Sequence, residues 1–310
     1  MAVLLLTHPS GFLHDTGPGH PERIARLRAV EAALAAPGFQ PLIREEAPAA
    51  TEEALRRAHP QSYIDLVLGT LPGPDELVRL DPDTVMSAAS AEAALHAAGA
   101  AVAAIDAVES GRVLRAFVAC RPPGHHAEPD RAMGFCLFAN ASIAALHARA
   151  QWGRQRIAVV DFDVHHGNGT QAIAWEDGDF FFGSSHQYPF YPGTGAADER
   201  GAQGQIVNAP LAAGACRAEF QAAWEERILP ALDAFRPDCL IISACFDAHR
   251  DDPLAQIELE AEDFAWVTEA ILTIAARHTE GRVVSLLEGG YDLDALAASV
   301  AAHVRALMNG

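Results

Sequence analysis

Short apolar runs alternate along the chain with longer stretches in which apolar residues recur at helical spacing. The short runs predict strands, whereas the longer, Ala-rich stretches predict helices. The predicted strands are residues 2–6, 115–119, 157–160, 180–183, 239–243 and 283–287. The predicted helices are residues 87–109, 140–152, 219–235, 260–278 and 293–308. Strands separated by helices favour parallel pairing, so the sequence predicts an α/β fold with a central, mostly parallel sheet and helices on both faces.

Turn and capping residues mark the ends of several predicted elements. Asn140 is expected to cap the helix that follows it, and Pro230 is expected to kink the helix 219–235 or to start its last turn. Two segments rich in Gly and Pro predict loops, residues 69–83 and 187–214. The pattern of strands and helices resumes after each loop and shows no internal repeat, so a single domain over residues 1–310 is expected.

The charged residues of the chain exclude some classes of function and disfavour others. The chain of 310 residues has 22 basic and 41 acidic side chains, a formal net charge of −19, and every basic residue is arginine. Without lysine, Schiff-base chemistry and a Walker-type phosphate loop are excluded. The negative charge disfavours nucleic acid and anionic membranes as partners, and it suits neutral or cationic ligands.

The cysteines and the apolar runs indicate the cellular compartment in which the protein is expected. The five cysteines include no C-x-x-C pair, so neither a disulfide framework nor a cysteine-based zinc site is expected. The apolar run 2–6 is too short for the core of a signal peptide, and no apolar run approaches the roughly 20 residues of a membrane span. We therefore expect a cytoplasmic protein with no membrane partner.

Polar clusters follow four of the predicted strands. They are residues 121–126 (RPPGHH), 161–169 (DFDVHHGNG), 243–249 (SACFDAH) and 288–292 (EGGYD). In an open parallel sheet, ligands bind in the crevice beyond the carboxyl ends of the strands. Packing of the core does not explain why four polar clusters lie at one edge of the sheet. We therefore take these clusters as the candidate functional site.

Three residues of these clusters form a candidate metal site. Asp163 and His165 stand two residues apart, on the same side of an extended chain, and Asp247 adds a carboxylate from another strand end. Three N/O ligands leave a position open for water or substrate, as in catalytic zinc sites, with Fe²⁺ or Co²⁺ as alternatives. An isolated Asp-x-His is more often structural, and it is the neighbouring clusters that favour a metal.

Other residues of the clusters could handle protons. His125 and His126 follow a rigid Pro-Pro-Gly turn. Two adjacent histidines held by such a turn are better suited to proton transfer beside a metal site than a single packed histidine is. Tyr291 follows two glycines that allow close backbone approach, and its phenol could donate to a developing oxyanion. Tyr291 taken alone could equally be a packing residue.

Five motifs in order resemble the histone deacetylase superfamily, and most closely its class II branch and the bacterial histone-deacetylase-like amidohydrolases. They are residues 121–128 (RPPGHHAE), 134–136 (GFC), 161–171 (DFDVHHGNGTQ), 246–253 (FDAHRDDP) and 288–292 (EGGYD). Residues 19–23 (GHPER) and 191–195 (YPGTG) also resemble that family, so the similarity spans nearly the whole chain.

The resemblance implies an arginase-like three-layer α/β/α fold and specific roles for the site residues. One catalytic Zn²⁺ per chain would be held by Asp163, His165 and Asp247. His126 would act as general base and then as general acid, and His125 would assist it. The remaining implied roles are Asp161 orienting His125, Asn168 paired with His126, and Tyr291 stabilising the oxyanion.

The resemblance also implies a substrate tunnel and a second cation. The tunnel would be lined by Gly134, Phe135, Tyr191 and the neighbouring Phe190. A K⁺ site would use the side chains of Asp161, Asp163, His165 and Ser184. An acid at the rim grips substrate in relatives, and here either Asp83 or Asp81 could serve. Cys245 departs from the glycine usual in the family, and a small buried thiol is expected there.

The function implied is a zinc-dependent deacetylase that hydrolyses the amide of acylated amines, either acetyl-lysine peptides or small acetylpolyamines. Acetylpolyamine hydrolases of the superfamily depart from the HHAE and GFC motifs found here. One alternative is an arginase-like hydrolase with two metals, because Asp247 and His249 form another Asp-x-His. The other alternative is a non-catalytic sensor of acyl groups. A homo-oligomer is compatible with the sequence.

Overall fold

A parallel sheet of eight strands lies at the centre of the computed structural model, which describes residues 2–310. The strands of the described residues are β1 (Val3–Thr7), β2 (Ile43–Glu46), β3 (Val78–Arg79), β4 (Val85–Met86), β5 (Arg115–Val118), β6 (Ile157–Asp161), β7 (Phe180–Gln187), β8 (Ile206–Leu211), β9 (Cys239–Ala244) and β10 (Val283–Leu287). Their order across the sheet is β2-β1-β5-β10-β9-β6-β7-β8, while β3 and β4 form a separate antiparallel hairpin.

The α-helices lie between these strands, apart from the last helix, which follows β10. Within residues 2–310 they are α1 (Ile24–Leu34), α2 (Glu52–Leu55), α3 (Gln61–Gly69), α4 (Ser90–Glu109), α5 (Asn140–Trp152), α6 (Asn168–Ala174), α7 (Arg217–Ala223), α8 (Leu229–Phe235), α9 (Ala261–His278) and α10 (Leu293–Asn309). A π-helical turn, Trp224–Ile228, joins α7 to α8, and the N–H of Leu229 donates to the carbonyl of Trp224. Pro230, which has no N–H to donate, follows in the first turn of α8. The disturbance expected at Pro230 therefore takes the form of a wider turn before it.

Alternate residues of each strand face opposite sides of the sheet, and each side has its own hydrophobic core. In β1, Leu4 and Leu6 pack in the core that contains α4 and α5. Val3 and Leu5 pack in the opposite core, with α1, α9 and α10. Because helices cover both faces of the sheet, the residues on both sides of each strand are apolar, and the strands appear in the sequence as continuous apolar runs. The predicted α/β fold, with helices on both faces of a parallel sheet, is confirmed.

The strand β8 falls within the segment 187–214, which the sequence predicts as a loop, so that prediction is wrong for residues 206–211. β8 is the last strand of the sheet and pairs with β7. An edge strand tolerates Pro210, which removes a backbone donor. The proline and the polar Asn208 break the apolar run that would have marked the strand.

The start of α5 also differs from the prediction. Ala139 is the N-cap residue and Asn140 is the first helical residue, with no side chain capping the helix. The side-chain amide of Asn140 instead donates to the carbonyl oxygen of Pro122 at 3.3 Å. The expectation that Asn140 caps the helix is wrong, because its side chain supports the loop that leads into the histidine pair.

Helix α4 begins at Ser90, slightly after the predicted start at Ser87, and ends at Glu109 as predicted. Its length and composition would suffice to cross a membrane, although most of its apolar window is buried inside the fold. One such helix is weak evidence for a membrane span, because the core helix of a folded domain meets the same criteria. Here α4 packs against α5 and β5, and its small alanines allow close contact with the sheet.

Candidate active site

The candidate site lies where five neighbouring strands end. β5, β10, β9, β6 and β7 are adjacent in the sheet, and the four polar clusters follow the first four of these strands. Because the strands are parallel, their carboxyl ends bring the clusters to one edge. The structure thereby brings together the predicted residues of the site, each at most 9% exposed: His125, His126, Asp161, Asp163, His165, Asn168, Asp247 and Tyr291.

Asp163, His165 and Asp247 form a compact cluster of ligand atoms. One ligand atom of each lies within 4.8 Å of the others, and all three side chains are buried. The Nδ1 atom of His165 is 3.1 Å from Oδ1 of Asp163 and 3.0 Å from Oδ2 of Asp247. Backbone N–H groups orient both carboxylates, since that of His165 donates to Asp163 and that of Val164 to Asp247. Two carboxylates and one imidazole fit Zn²⁺ with an open position for substrate.

The second Asp-x-His does not extend this cluster. His249 lies near Asp251 and Glu260, with nitrogen–oxygen distances of 3.7 Å to each. Among residues 2–310, Asp163, His165 and Asp247 are the one group of three or more His, Cys, Asp or Glu side chains close enough to hold an ion. Within the described residues, the second Asp-x-His therefore adds no ligand to this group.

His125 is surrounded by carboxylates. Its Nδ1 is 3.0 Å from Oδ2 of Asp161, and its Nε2 is 3.3 Å from Oδ2 of Asp163. Burial lowers the pKa of His125, but the charges of Asp163 and Asp161 outweigh it and raise that pKa to about 10 in the metal-free chain. Asp161 therefore lies within hydrogen-bond distance of His125, the histidine that it is predicted to orient.

His126 has the opposite electrostatic environment. Burial and the adjacent His125, whose ring centroid is 3.9 Å away, lower the pKa of His126 well below its ordinary value. Its Nδ1 is 2.8 Å from Oδ1 of Asn168, and the Asn168 amide donates to the carboxylate of Glu128 at 2.8 Å. Because Glu128 accepts from that amide, Asn168 presents its oxygen to His126, and Nδ1 of His126 carries the proton. The lone pair of the neutral ring is then on Nε2.

Tyr291 completes the base of the site. Its hydroxyl approaches Gly289 so closely that a Cβ added there would lie 2.7 Å from the hydroxyl oxygen and 3.1 Å from Oδ2 of Asp247. Only glycine leaves this space free. Burial raises the pKa of Tyr291 well above its ordinary value, so the phenol stays protonated and remains a donor. The Arg26 guanidinium lies 5.0 Å from the ring centroid.

A narrow tunnel leads to these residues. Its cavity has a volume of about 190 Å³ and is lined by Asp83, His126, Gly134, Phe135, His165, Phe190, Tyr191, Leu254 and Tyr291. All four residues predicted to line a tunnel are among them. The ring of Phe190 stacks on that of His165, and the ring of Tyr191 stands edge-on to that of His126. Gly134 is required, since a Cβ there would lie 2.2 Å from the ring of His126.

The structure separates the two candidates for the acid at the rim. Asp83 lines the tunnel, whereas Asp81 is not among the lining residues. The Oδ1 atom of Asp83 accepts a hydrogen bond from the N–H of Gly134 at 3.0 Å. Burial and the charge of Asp83 raise the pKa of Tyr191 above its ordinary value. Leu254 is a lining residue that the sequence analysis misses. Its position directly after the motif FDAHRDDP, residues 246–253, is the signal that could have found it.

Ser184 and Cys245 are two further buried residues that the sequence analysis names at the site. Ser184 pairs with Asp161 in the register of β6 and β7, and its hydroxyl is 2.9 Å from Nδ1 of His186. The K⁺ site built on Ser184 stays a prediction. The Cys245 thiol is fully buried, as expected, and burial together with the carboxylates of Asp163 and Asp247 raises its pKa well above the ordinary value.

A buried carboxylate that the sequence analysis does not single out holds the histidine loop. Oε2 of Glu288 accepts hydrogen bonds from the backbone N–H groups of Gly124 and His125, at 2.6 and 3.2 Å, and Oε1 accepts from the Ser243 hydroxyl. The loop after β5, the end of β9 and the segment after β10 thus meet at one side chain. Glu288 is the first residue of the motif EGGYD, and this position could have identified it as part of the site.

Comparisons with known proteins identify the family. A model of the histone deacetylase domain matches residues 20–307. The chain is 39% identical to a histone deacetylase-like amidohydrolase of Pseudomonas aeruginosa, over 88% of this chain and 73% of that protein. It is 40% identical to a probable deacetylase of Methanothermobacter thermautotrophicus, over 98% of this chain and 90% of that protein. The crystal structure of the HDA15 HD domain matches with a TM-score of 0.92 and 35% identity, over 99% of this chain and 88% of that one. The chain belongs to the histone deacetylase family, and the predicted resemblance is confirmed.

Proposed function

We propose that the protein is a zinc-dependent deacetylase that hydrolyses the amide of acylated amines, with one Zn²⁺ per chain on Asp163, His165 and Asp247. The observation that carries the proposal is that this ligand cluster meets the imidazole of His126 and the phenol of Tyr291 at the base of one tunnel. When bound, Zn²⁺ would polarise the amide carbonyl and lower the pKa of a water molecule.

His126 is the residue suited to move the proton. Its neutral ring carries a lone pair on Nε2, because Asn168 fixes the proton on Nδ1. We assign to Nε2 the removal of a proton from the attacking water and its transfer to the leaving amine. The charges of Asp163 and Asp161 raise the pKa of His125, whereas burial and the adjacent His125 lower that of His126, so His126 is the histidine suited to accept the proton.

Tyr291 is the residue suited to stabilise the developing oxyanion. Its phenol lines the tunnel beside the metal ligands and stays protonated through burial. A donor aimed at the oxygen where charge develops accelerates amide hydrolysis typically by 10²- to 10³-fold. The missing side chain of Gly289 lets the phenol lie close to Asp247.

The tunnel supports a substrate with a slender aliphatic stem. Phe135, Phe190 and Leu254 give it apolar walls, and its volume of about 190 Å³ suits a methylene chain that ends in an acyl amide. Asp83 at the mouth would accept an N–H group of a bound substrate other than that of the reacting amide, either a peptide N–H or an amine N–H. Acetyl-lysine peptides and acetylpolyamines both satisfy these requirements, and the net charge of −19 favours cationic molecules of either kind.

A parallel rate comparison tests the proposal. The zinc-loaded protein is assayed against an acetyl-lysine peptide, acetylputrescine, acetylspermidine and a longer acyl-lysine, with Tyr291→Phe as the matched control. We expect hydrolysis of at least one acetyl substrate, a loss of about 10²- to 10³-fold in Tyr291→Phe, and unchanged zinc content. Absence of turnover on all four would favour the acyl sensor, and two tightly bound Mn²⁺ per chain would favour the arginase-like hydrolase.

A further inference from the structure

Asp252 is a buried carboxylate that the proposed chemistry does not use. It is 6% exposed and lies five positions after Asp247 in the chain. Its Oδ2 accepts hydrogen bonds from the backbone N–H groups of Tyr291 at 2.7 Å and Asp292 at 3.3 Å, and its Oδ1 accepts from that of Leu254 at 3.0 Å. We infer that Asp252 is a positioning residue, which fixes the Tyr291 phenol and the Leu254 wall of the tunnel relative to each other.

The backbone on the N-terminal side of Tyr291 explains why such an anchor is needed. Tyr291 follows Gly289 and Gly290, and Gly290 has a φ of +112°, a conformation open to glycine alone. Two glycines give this segment more conformational freedom than other residues would. The N–H of Tyr291 itself is tied to Asp252, so the anchor acts at the residue whose side chain must be aimed.

The opposite side of the same segment is held by a different side chain. Arg26 donates to the carbonyl oxygens of Glu288 and Gly290, both at 2.6 Å. Arg26 therefore fixes the carbonyl groups of the segment, and Asp252 fixes the N–H of Tyr291. Of these two side chains, Asp252 is the one that also bonds to a second lining residue of the tunnel, Leu254.

The geometry requires a carboxylate rather than an amide. Both oxygens of Asp252 accept, one from Leu254 and the other from Tyr291 and Asp292. An asparagine has one accepting oxygen, and its NH₂ group would face a backbone donor on whichever side it occupied. Asp252→Asn should therefore lose its hold on either the N–H of Leu254 or the N–H groups of Tyr291 and Asp292, while it preserves the size of the side chain.

This inference rests on the proposed function, because it requires Tyr291 to act on the substrate. The test is a double-mutant cycle of Asp252→Ala and Tyr291→Phe in the zinc-loaded protein at pH 8, where Asp252, whose pKa burial raises to about 7, is ionised. Asp252→Ala should lower kcat by about 10- to 50-fold when Tyr291 is present, the scale expected for a small misplacement of a reacting group. It should lower kcat at most about 3-fold in Tyr291→Phe, because the phenol is already absent. Asp252→Asn should fall between the wild type and Asp252→Ala.

A second measurement does not depend on turnover. Hydrogen exchange of the amides of Tyr291 and Asp292 should be faster in both Asp252 variants than in Asp251→Asn, a change at the neighbouring exposed acid. Unchanged exchange, or equal losses of kcat in both backgrounds, would overturn the inference and leave the proposed function intact. Failure of the wild type to hydrolyse any acyl amide would instead overturn the proposed function, and the inference with it.

Discussion

The base and the mouth of the tunnel are built in different ways. The base consists of Asp163, His165, Asp247 and the histidine pair, which are almost fully buried and follow adjacent parallel strands. The mouth consists of side chains on separate loops, of which Tyr191 is 37% exposed. The sheet therefore fixes the chemistry at the base, whereas bonds between loops fix the shape of the mouth. We expect changes at the base to abolish catalysis and changes at the mouth to alter binding.

The two histidines at the base show how local charge divides roles between identical side chains. The charges of Asp163 and Asp161 raise the pKa of His125 in spite of its burial, whereas burial and the adjacent His125 lower the pKa of His126. Asp161, which contacts His125, and Asn168, which contacts His126, lie in the same motif, residues 161–171. Groups whose environments push their pKa values apart are suited to separate acid and base roles.

The largest effect is expected from Asp247→Ala. Removing one of three ligands should reduce the zinc content from about one ion per chain to below about 0.1 and abolish measurable turnover. Metal analysis after dialysis measures the content, and Asp251→Asn, at an exposed acid near Asp247 in the chain, is the control that should retain zinc. Full zinc occupancy in Asp247→Ala would remove this residue from the ligand set.

The next effect is expected from His126→Ala. Loss of a general acid and base should lower kcat by about 10³- to 10⁴-fold without a loss of zinc, because the ligand set is intact. The control is His278→Ala, at the end of α9, where His278 bonds to Asp233 rather than to a site residue. Similar losses in the two variants would argue against the role of His126, and steady-state kinetics with zinc analysis distinguishes the cases.

The base of the site could be predicted from the sequence because its residues are encoded locally. Asp163 and His165 lie in one short motif, and a buried apolar run precedes it, so strand position and ligand spacing can be read together. Asp247 and Tyr291 follow other strands in the same way. Only the parallel order of those strands, which the alternation of strands and helices indicates, is needed to bring the clusters together.

The mouth could be predicted only in part, because its contacts join residues that are far apart in the chain. Asp83 is bonded to Gly134 and lines the tunnel together with Tyr191, and no local spacing relates these three positions. Leu254 carries no polar chemistry that would single it out. The edge strand β8 escaped prediction for a related reason, since an edge position tolerates the proline and asparagine that hide its pattern.

The segment 129–139, which carries Gly134 and Phe135, is pinned at both ends by His59. Nδ1 of His59 donates to the carbonyl of Pro129 at 2.8 Å, and Nε2 accepts from the N–H of Ala139 at 3.0 Å. This arrangement requires a neutral ring, and burial lowers the pKa of His59 to about 4. The unfolded chain binds the proton at higher pH, so stability should fall as the pH drops from about 6.5 towards 4.

The matched variant for this prediction is His59→Gln, which keeps one donor and one acceptor but does not titrate. Between about pH 7.5 and pH 5, the free energy of unfolding of the wild type should fall by about 2 kcal/mol more than that of the variant. Urea unfolding at the two pH values measures the difference. Parallel pH profiles for the two proteins would show that His59 does not couple protonation to the stability of this wall.

The smallest effect is expected at the mouth itself, from Asp83→Asn. The amide oxygen of the new side chain could still accept the hydrogen bond from the N–H of Gly134, but the negative charge that faces the tunnel would be lost. We expect KM for a cationic acetyl-amine substrate to rise by about 10-fold and kcat to change by less than about 3-fold, the pattern of a lost binding contact. Asp81→Asn is the control, because Asp81 does not line the tunnel. A fall in kcat at unchanged KM would mean that Asp83 acts on the reacting amide, and the division between a catalytic base and a binding mouth would then not hold.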